Sequence, residues 1–341
     1  MNTKFKISIA LLTCAILAMS GCKQKKNDNI IVNKFPKTIS LSGRPIKEIE
    51  VFDNGNVHVL SIDSFLIVQK TNEKYFQIFS TNTYKLLTEF GSYGKGPGEF
   101  SRPELTGQIA YDPFTKNPLV YVYDSQRLLL TFIDIIKCIK NPTYINNQKR
   151  IPNVNAYIDR FFYSNDSIFF AIPEDGGRFL FYNYRSSKIE IKPFVPEVNF
   201  SMSGYLFRHV YRSSCVVNEE KSLIAAAPLL LGEIDFFDLN GNYIKSTIFE
   251  STENLKKTLA KGGESLDPKI QISQLVSVGD LIYGLNNNSK ILVFNWSGQP
   301  VKEYILDDRF VFSFAIDLAH KRIYGYCPEE KNTMVVYNLK E

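Results

Sequence analysis

The sequence predicts an all-β fold assembled from six repeats, and three observations point to it. Aromatic residues make up 13% of the 341 residues, with 26 Phe and 19 Tyr, and such side chains favour pleated, half-buried surfaces. An apolar pair followed by Asp, Asn or Ser recurs six times, as Ile78-Phe79-Ser80, Phe132-Ile133-Asp134, Phe181-Tyr182-Asn183, Phe236-Phe237-Asp238, Val293-Phe294-Asn295 and Val336-Tyr337-Asn338. A second strand-like run precedes each copy: Ser64–Val68, Leu119–Val122, Ser167–Phe170, Ser222–Ala225, Asp280–Tyr283 and Arg322–Gly325. The two series keep step at a period of about fifty residues, the length of one four-stranded unit in a repeat protein. Six such units fit a single six-bladed β-propeller of four-stranded blades around a channel.

In chain order, the first stretch reads as an export signal. Lys4 and Lys6 precede a mostly apolar run from Ile7 to Met19, too short to span a membrane comfortably. It ends in Ser20-Gly21-Cys22, which resembles the lipobox of bacterial lipoproteins, whose cysteine sulfur is acylated once the chain is cut before it. The resemblance makes residues 1–21 a signal peptide and Cys22 the lipidation site. Lys23–Asn29 is polar and has no apolar period, so residues 22–35 are expected to be a flexible tether and residues 36–341 the folded domain. A basic rather than acidic tether favours a periplasm-facing anchor in a Gram-negative envelope over display at the cell surface.

The C-terminal repeat supplies strands near Phe312–Asp317, Arg322–Cys327 and Thr333–Leu339 and then lacks a fourth. The spare strand-like sequence is Lys37–Phe52, and its pairing with the last blade is expected to close the ring, because an open edge exposes unpaired backbone.

Between the first two repeats lies Phe90-Gly91-Ser92-Tyr93-Gly94-Lys95-Gly96-Pro97-Gly98-Glu99-Phe100-Ser101-Arg102-Pro103. Four glycines and two prolines in one short span make a shaped loop. Phe100 offers it an apolar foot, and Glu99 with Arg102 a local ion pair. This wording resembles the bacterial TolB-like or NHL-like six-bladed β-propellers, in which such a loop links one blade to the next. The resemblance implies structural roles for Gly94, Gly96, Pro97, Gly98, Glu99 and Phe100, and says little about activity. One helix is predicted, over Ser251–Gly262, with a cap at Ser251 or Thr252, a basic last turn and a glycine stop.

The formal net charge of +5 falls to +3 once residues 1–21, with Lys4 and Lys6, are set aside, which is ordinary for a soluble surface, and no basic run beyond the tether suggests nucleic acid. Cys138, Cys215 and Cys327 remain after the signal and Cys22 are set aside, and read as buried small hydrophobes or one disulfide of unassigned pairing. The three histidines, His58, His209 and His320, have no metal-ligand spacing, and no nucleophile-elbow motif occurs, so no catalytic residue is assigned. Tyr205, Arg208, His209 and Arg212 form an aromatic-basic cluster of the kind enriched at recognition surfaces. The leading functional reading is a binding module for an envelope protein, a peptide or a glycan. The alternative is a channel-sited, calcium-dependent, lactonase-like hydrolase, whose ligand pattern the sequence does not match.

Overall fold

The computed structural model describes residues 29–51, 57–71, 73–151, 160–164, 167–171, 177–183, 185–193, 210–253, 255, 269–329 and 333–340. Their strands form six sheets of four or five strands and one two-stranded pair. Sheet I contains His58–Ile62, Phe65–Gln69, Phe76–Ser80 and Leu86–Phe90. Sheet II contains Pro103–Tyr111, Pro118–Asp124, Leu129–Asp134 and Asn147–Arg150. Sheet III contains Arg160–Ser164, Ser167–Ala171, Phe179–Asn183 and Lys188–Lys192. Sheet IV contains Ser213–Asn218, Leu223–Pro228, Glu233–Asp238 and Tyr243–Ile248. Sheet V contains Ile272–Val278, Leu281–Asn286, Lys290–Asn295 and Pro300–Ile305. Sheet VI takes Ser313–Asp317, Arg322–Cys327 and Thr333–Asn338 from the end of the chain and Gly43–Glu50 from its beginning.

Each of the six apolar-pair copies ends a third strand, and each run of the second series falls on a second strand. In sheets I, III, IV and V the polar residue that ends the third strand closes the following turn. The Asp238 carboxylate accepts the backbone N–H of Asn240 and of Asn242, both at 2.9 Å, and the Asn295 side chain accepts that of Gln299 at 2.9 Å.

The core is divided into apolar clusters set between sheets. Phe76, Phe90 and Phe100 pack with Val120, Val122 and Ile133 between sheets I and II, and Phe179 packs with Phe237 between III and IV. Comparable clusters lie between II and III, IV and V, V and VI, and VI and I. Each buried Leu, Val or Phe stabilises by about 1.5–3 kcal/mol. The first strands of successive sheets touch, from sheet I through to sheet VI and from VI back to I. The architecture is an all-β, propeller-like fold.

Polar side chains tie neighbouring sheets beside these clusters. The Gln69 amide donates to Pro103 O at 2.7 Å and accepts Leu105 N–H at 2.6 Å, joining I to II. Ser214 Oγ accepts Leu275 N–H at 2.8 Å, joining IV to V. Gln274 accepts Phe314 N–H at 2.9 Å and donates to Phe314 O at 3.0 Å, joining V to VI. Ser313 Oγ accepts Val59 N–H at 3.2 Å, joining VI to I.

Three expectations need correction. Residues 30–35, expected to belong to the flexible tether, are ordered on the fold, because Ile30–Ile31 is a strand parallel to Tyr243–Ile248 of sheet IV. Val32 and Phe35 then pack on sheets IV and V, Phe35 lying edge-on to Phe294 at 5.4 Å. The stretch Lys37–Phe52 is not one strand. Thr38–Ser40 runs parallel to Pro300–Ile305 of sheet V, and Gly43–Glu50 runs antiparallel to Thr333–Asn338, with Gly43 opposite Tyr337. The amino-terminal segment is thus a strap across the outer edges of three sheets. A helix also occurs where none was predicted, at Ile135–Lys140, capped by the Asp134 carboxylate, which accepts Lys137 N–H at 3.0 Å. The helix expected over Ser251–Gly262 lies mostly outside the described residues.

Candidate functional site

Within each sheet the chain meanders, so every connection from a fourth strand to the next first strand emerges on one face. The fully described ones, residues 91–102 and 306–312, make this the loop face. The short hairpins between first and second strands lie on the other face.

First strands from all six sheets line a cavity of about 590 Å³ on the axis between the faces. His58, Leu105 and Gln274 lie toward the loop face, and Glu219, Glu220 and Asp280 toward the hairpin face. Between these ends the lining alternates aliphatic residues with Ser61, Thr106 and Ser277. A mostly neutral wall of this kind can hold a ligand by shape and a few hydrogen bonds. Among the described residues no three His, Cys, Asp or Glu side chains converge as metal ligands would.

The glycine-rich loop links sheet I to sheet II on the loop face, and it is tightly built. Ser92–Tyr93 pairs with Glu99–Phe100. Gly94 N–H donates to Phe100 O at 2.9 Å. Phe100 is buried edge-on to Phe76 at 5.4 Å. The Asp124 carboxylate accepts Ser101 N–H at 2.6 Å and Arg102 N–H at 3.2 Å. Arg127 reaches across to donate to the carbonyls of Glu99 and Lys95. The expected Glu99–Arg102 ion pair does not form; Glu99 turns back to accept Gly96 N–H at 2.7 Å. Gly98 stands at φ 74° and Gly94 at φ 156°, whereas Gly96 keeps an ordinary backbone. Pro97 lies at the tip, between these two glycines. On this fixed base Tyr93 is held 75% exposed.

Of the aromatic-basic cluster, Tyr205, Arg208 and His209 lie outside the described residues, and Arg212 is exposed just before the first strand of sheet IV. Cys138, Cys215 and Cys327 are buried and form no disulfide among the described residues. Burial pushes the Cys138 thiol up to about 11, which leaves little thiolate for chemistry.

Arg178 is a fully buried cation between sheets III and IV. It donates to Asp235 at 2.9 Å and to Tyr211 O at 2.8 Å, with its guanidinium among the rings of Tyr211, Phe179 and Phe237. Asp235 also accepts from Ser246 Oγ at 2.6 Å. Glu233, two residues before Asp235 on the same strand face, is pushed up to about 8 by burial and by the Asp235 charge. Sealed from water, this group joins sheets rather than meeting a substrate. Its partner lies 57 residues along the chain, a distance at which spacing carries no signal.

No protein-family model and no curated protein matches the sequence. Among solved structures, the chain is similar to a DUF4221-family member from Bacteroides vulgatus, at 10% identity and a TM-score of 0.52, covering 88% of this chain and 96% of that one. It is also similar to a Bacteroides fragilis protein described as exported, at 13% identity and a TM-score of 0.52, covering 89% of this chain and all of that one. At these identities the likeness concerns the fold.

Proposed function

We propose that this chain is an extracytoplasmic, lipid-anchored interaction module that docks a protein partner on its loop face. The observation that carries the reading is Tyr93, a solvent-exposed aromatic ring on a loop fixed by Asp124, Glu99 and Arg127. Tyr is enriched among the residues that dominate binding at interfaces, and a pre-ordered loop lowers the entropy lost on docking. The likeness to a protein described as exported accords with an envelope location.

The proposed body is a six-bladed ring in which sheets I–VI are the blades and Gly43–Glu50 closes the last one. Contacts between first strands, an apolar cluster at every sheet interface and the Val59–Ser313 bond support it. In this reading residues 1–21 are removed as a signal and Cys22 carries lipid. Residues 22–28 then span at most about 25 Å when extended. They lead to Asn29, which accepts Ser246 N–H at 3.0 Å and the Tyr243 hydroxyl at 3.1 Å along the outer strand of sheet IV. Tyr243 opens that strand at the hairpin-face end. The anchor therefore sits nearer the hairpin face, and the loop face points away from the membrane.

A photo-crosslinking residue at position 93 is expected to trap a discrete protein adduct in cells, and the same probe at Ile189 on the outer edge of sheet III is not. Identical adduct patterns from the two positions would count against loop-face docking. Cys22→Ser is expected to release the protein from the membrane fraction or leave it uncleaved, and an unacylated mature N-terminus in the wild type would remove the lipid anchor from the reading.

A further inference from the structure

On the hairpin face, the turn between the first two strands of sheet II, residues 112–117, is six residues long, against two or four for the same turn in the other sheets. Its length carries it out beyond them. In it Phe114 is 92% exposed, more than any other large apolar side chain among the described residues. The turn that holds this ring is braced. The Asp112 carboxylate accepts the N–H of Phe114 at 3.0 Å and that of Thr115 at 2.7 Å. The Asn117 amide donates to the Asp134 carboxylate at 3.0 Å, the group that also caps the helix Ile135–Lys140. The Tyr111 hydroxyl donates to Asp63 at 2.7 Å, which fastens the base of the turn to sheet I. After the helix, Ile145 is 58% exposed. Lys116 in the turn and Lys140 at the helix end are exposed as well.

We propose that this turn rests on the surface of the membrane that holds the lipid anchor, with Phe114 among the headgroups and Lys116 and Lys140 toward anionic lipid. The proposal rests on the anchor at Cys22 proposed above. Asn29 is fastened at the hairpin-face end of the outer strand of sheet IV. Residues 22–28 reach at most about 25 Å from it. A lipid at Cys22 therefore holds this face close to the bilayer, where a protruding ring meets headgroups before it meets any diffusing partner. An apolar ring flanked by lysines is the chemistry of an interfacial contact. Each lysine near an anionic surface strengthens attachment about fivefold. Glu219 and Glu220 lie at the axial mouth on the same face and would be repelled by those lipids. The contact is thus made at the protruding turn and not across the whole face.

The experiment places a nitrobenzoxadiazole label on Thr115→Cys, next to an intact Phe114; Cys138, Cys215 and Cys327 are buried from the reagent. Tyr93→Cys, labelled in the same way, reports the loop face. The mature, lipidated protein is reconstituted into vesicles of phosphatidylethanolamine and phosphatidylglycerol that contain nitroxide-labelled lipid. Flotation with the vesicles reads the anchor, and nitroxide quenching reads the turn. The label at 115 is expected to be quenched several-fold more strongly than the label at 93. Phe114→Ser should abolish that difference while the protein still floats, and Phe114→Leu should keep it. Phosphatidylcholine in place of phosphatidylglycerol should weaken it. An unchanged unfolding midpoint in Phe114→Ser separates loss of contact from loss of fold. Flotation with equal quenching at 115 and 93, or quenching that survives Phe114→Ser, would overturn the proposal and leave the anchor standing. Failure to float would remove the anchor and the contact together. A photo-crosslinking residue at 114 that traps a discrete protein in cells, and not lipid, would overturn the proposal in favour of a protein partner.

Discussion

Arg178 and Asp235 meet at 2.9 Å between sheets III and IV, and neither side chain reaches solvent. Removing one partner strands the other as an unpaired buried charge, which costs about 3–5 kcal/mol. Arg178→Met and Asp235→Leu are each expected to lose about that much in urea unfolding. The double substitution is expected to recover most of it, because two apolar residues leave no charge stranded. A double variant no more stable than the worse single one would show that the pair is not the origin of the loss.

Glu233 gives the fold a pH dependence of definite sign. Its carboxyl titrates at about 8 in the fold against 4.5 ordinarily, first because of burial and then because of Asp235, with Arg178 opposing. Asp235 is also raised by burial, to about 6, with Arg178 pulling it back. Below 4.5 Glu233 is protonated in both the folded and unfolded chain and contributes no slope. Between 4.5 and 8 the folded chain holds a proton that the unfolded chain has lost, so stability falls as pH rises. Above 8 the penalty is constant. Glu233→Gln should therefore remove the decline in Tm between about 6 and 8, where Asp235 is already ionised. An unchanged slope would assign it to another group.

In the glycine-rich loop, the cost of an added methyl should differ by position. At Gly98 a Cβ meets nothing within 4 Å, but φ is 74°, so Gly98→Ala should lose about 1 kcal/mol from backbone alone and Gly98→Asn less. At Gly94 a Cβ would collide with the Glu99 carboxylate, which would also have to release Gly96 N–H. Gly94→Ala should thus lose more than Gly98→Ala in chemical denaturation, and the reverse order would mean that the Glu99 contact is dispensable.

Truncation from the amino terminus should act in steps. Loss of residues 23–28 should leave the melt unchanged. Loss through residue 42 removes Ile30–Ile31, Val32, Phe35 and Thr38–Ser40, baring the outer strands of sheets IV and V, and should lower Tm. Loss through residue 51 also removes Gly43–Glu50 from its pairing with Thr333–Asn338 and should yield aggregates. Three equally stable truncations would mean that the strap bears no load.

The repeat was legible because its markers are local: an apolar pair followed by Asp, Asn or Ser leaves the same short signature at the end of every third strand. The strap was not, since Ile30–Ile31 and Thr38–Ser40 are too short for alternation to register and gain their strand character from partners far along the chain. The helix at Ile135–Lys140 hid behind Asp134, which ends a third strand and caps the helix with the same carboxylate. Ile135, Cys138 and Ile139 do carry the i, i+3, i+4 spacing of a helix face, but six residues are few against a β background. Of the candidate site, the loop and its glycines were readable, whereas the axial cavity depends on first strands from all six sheets meeting and has no linear signature.

The strap also sets a timetable. The chain is made from its amino end, so Thr38 and Gly43 are delivered early, whereas their partners Glu303 and Asp307 lie 265 and 264 residues further on. Until Thr333–Asn338 arrives, Gly43–Glu50 has no strand to pair with, and sheet VI cannot be completed. Such long-range pairing slows folding, because loop closure must come before the contacts that reward it. For that interval the nascent chain carries completed sheets beside an unclaimed strand, a state open to pairing with other chains. Arrival of Thr333–Asn338 gives Gly43–Glu50 its partner and closes that window.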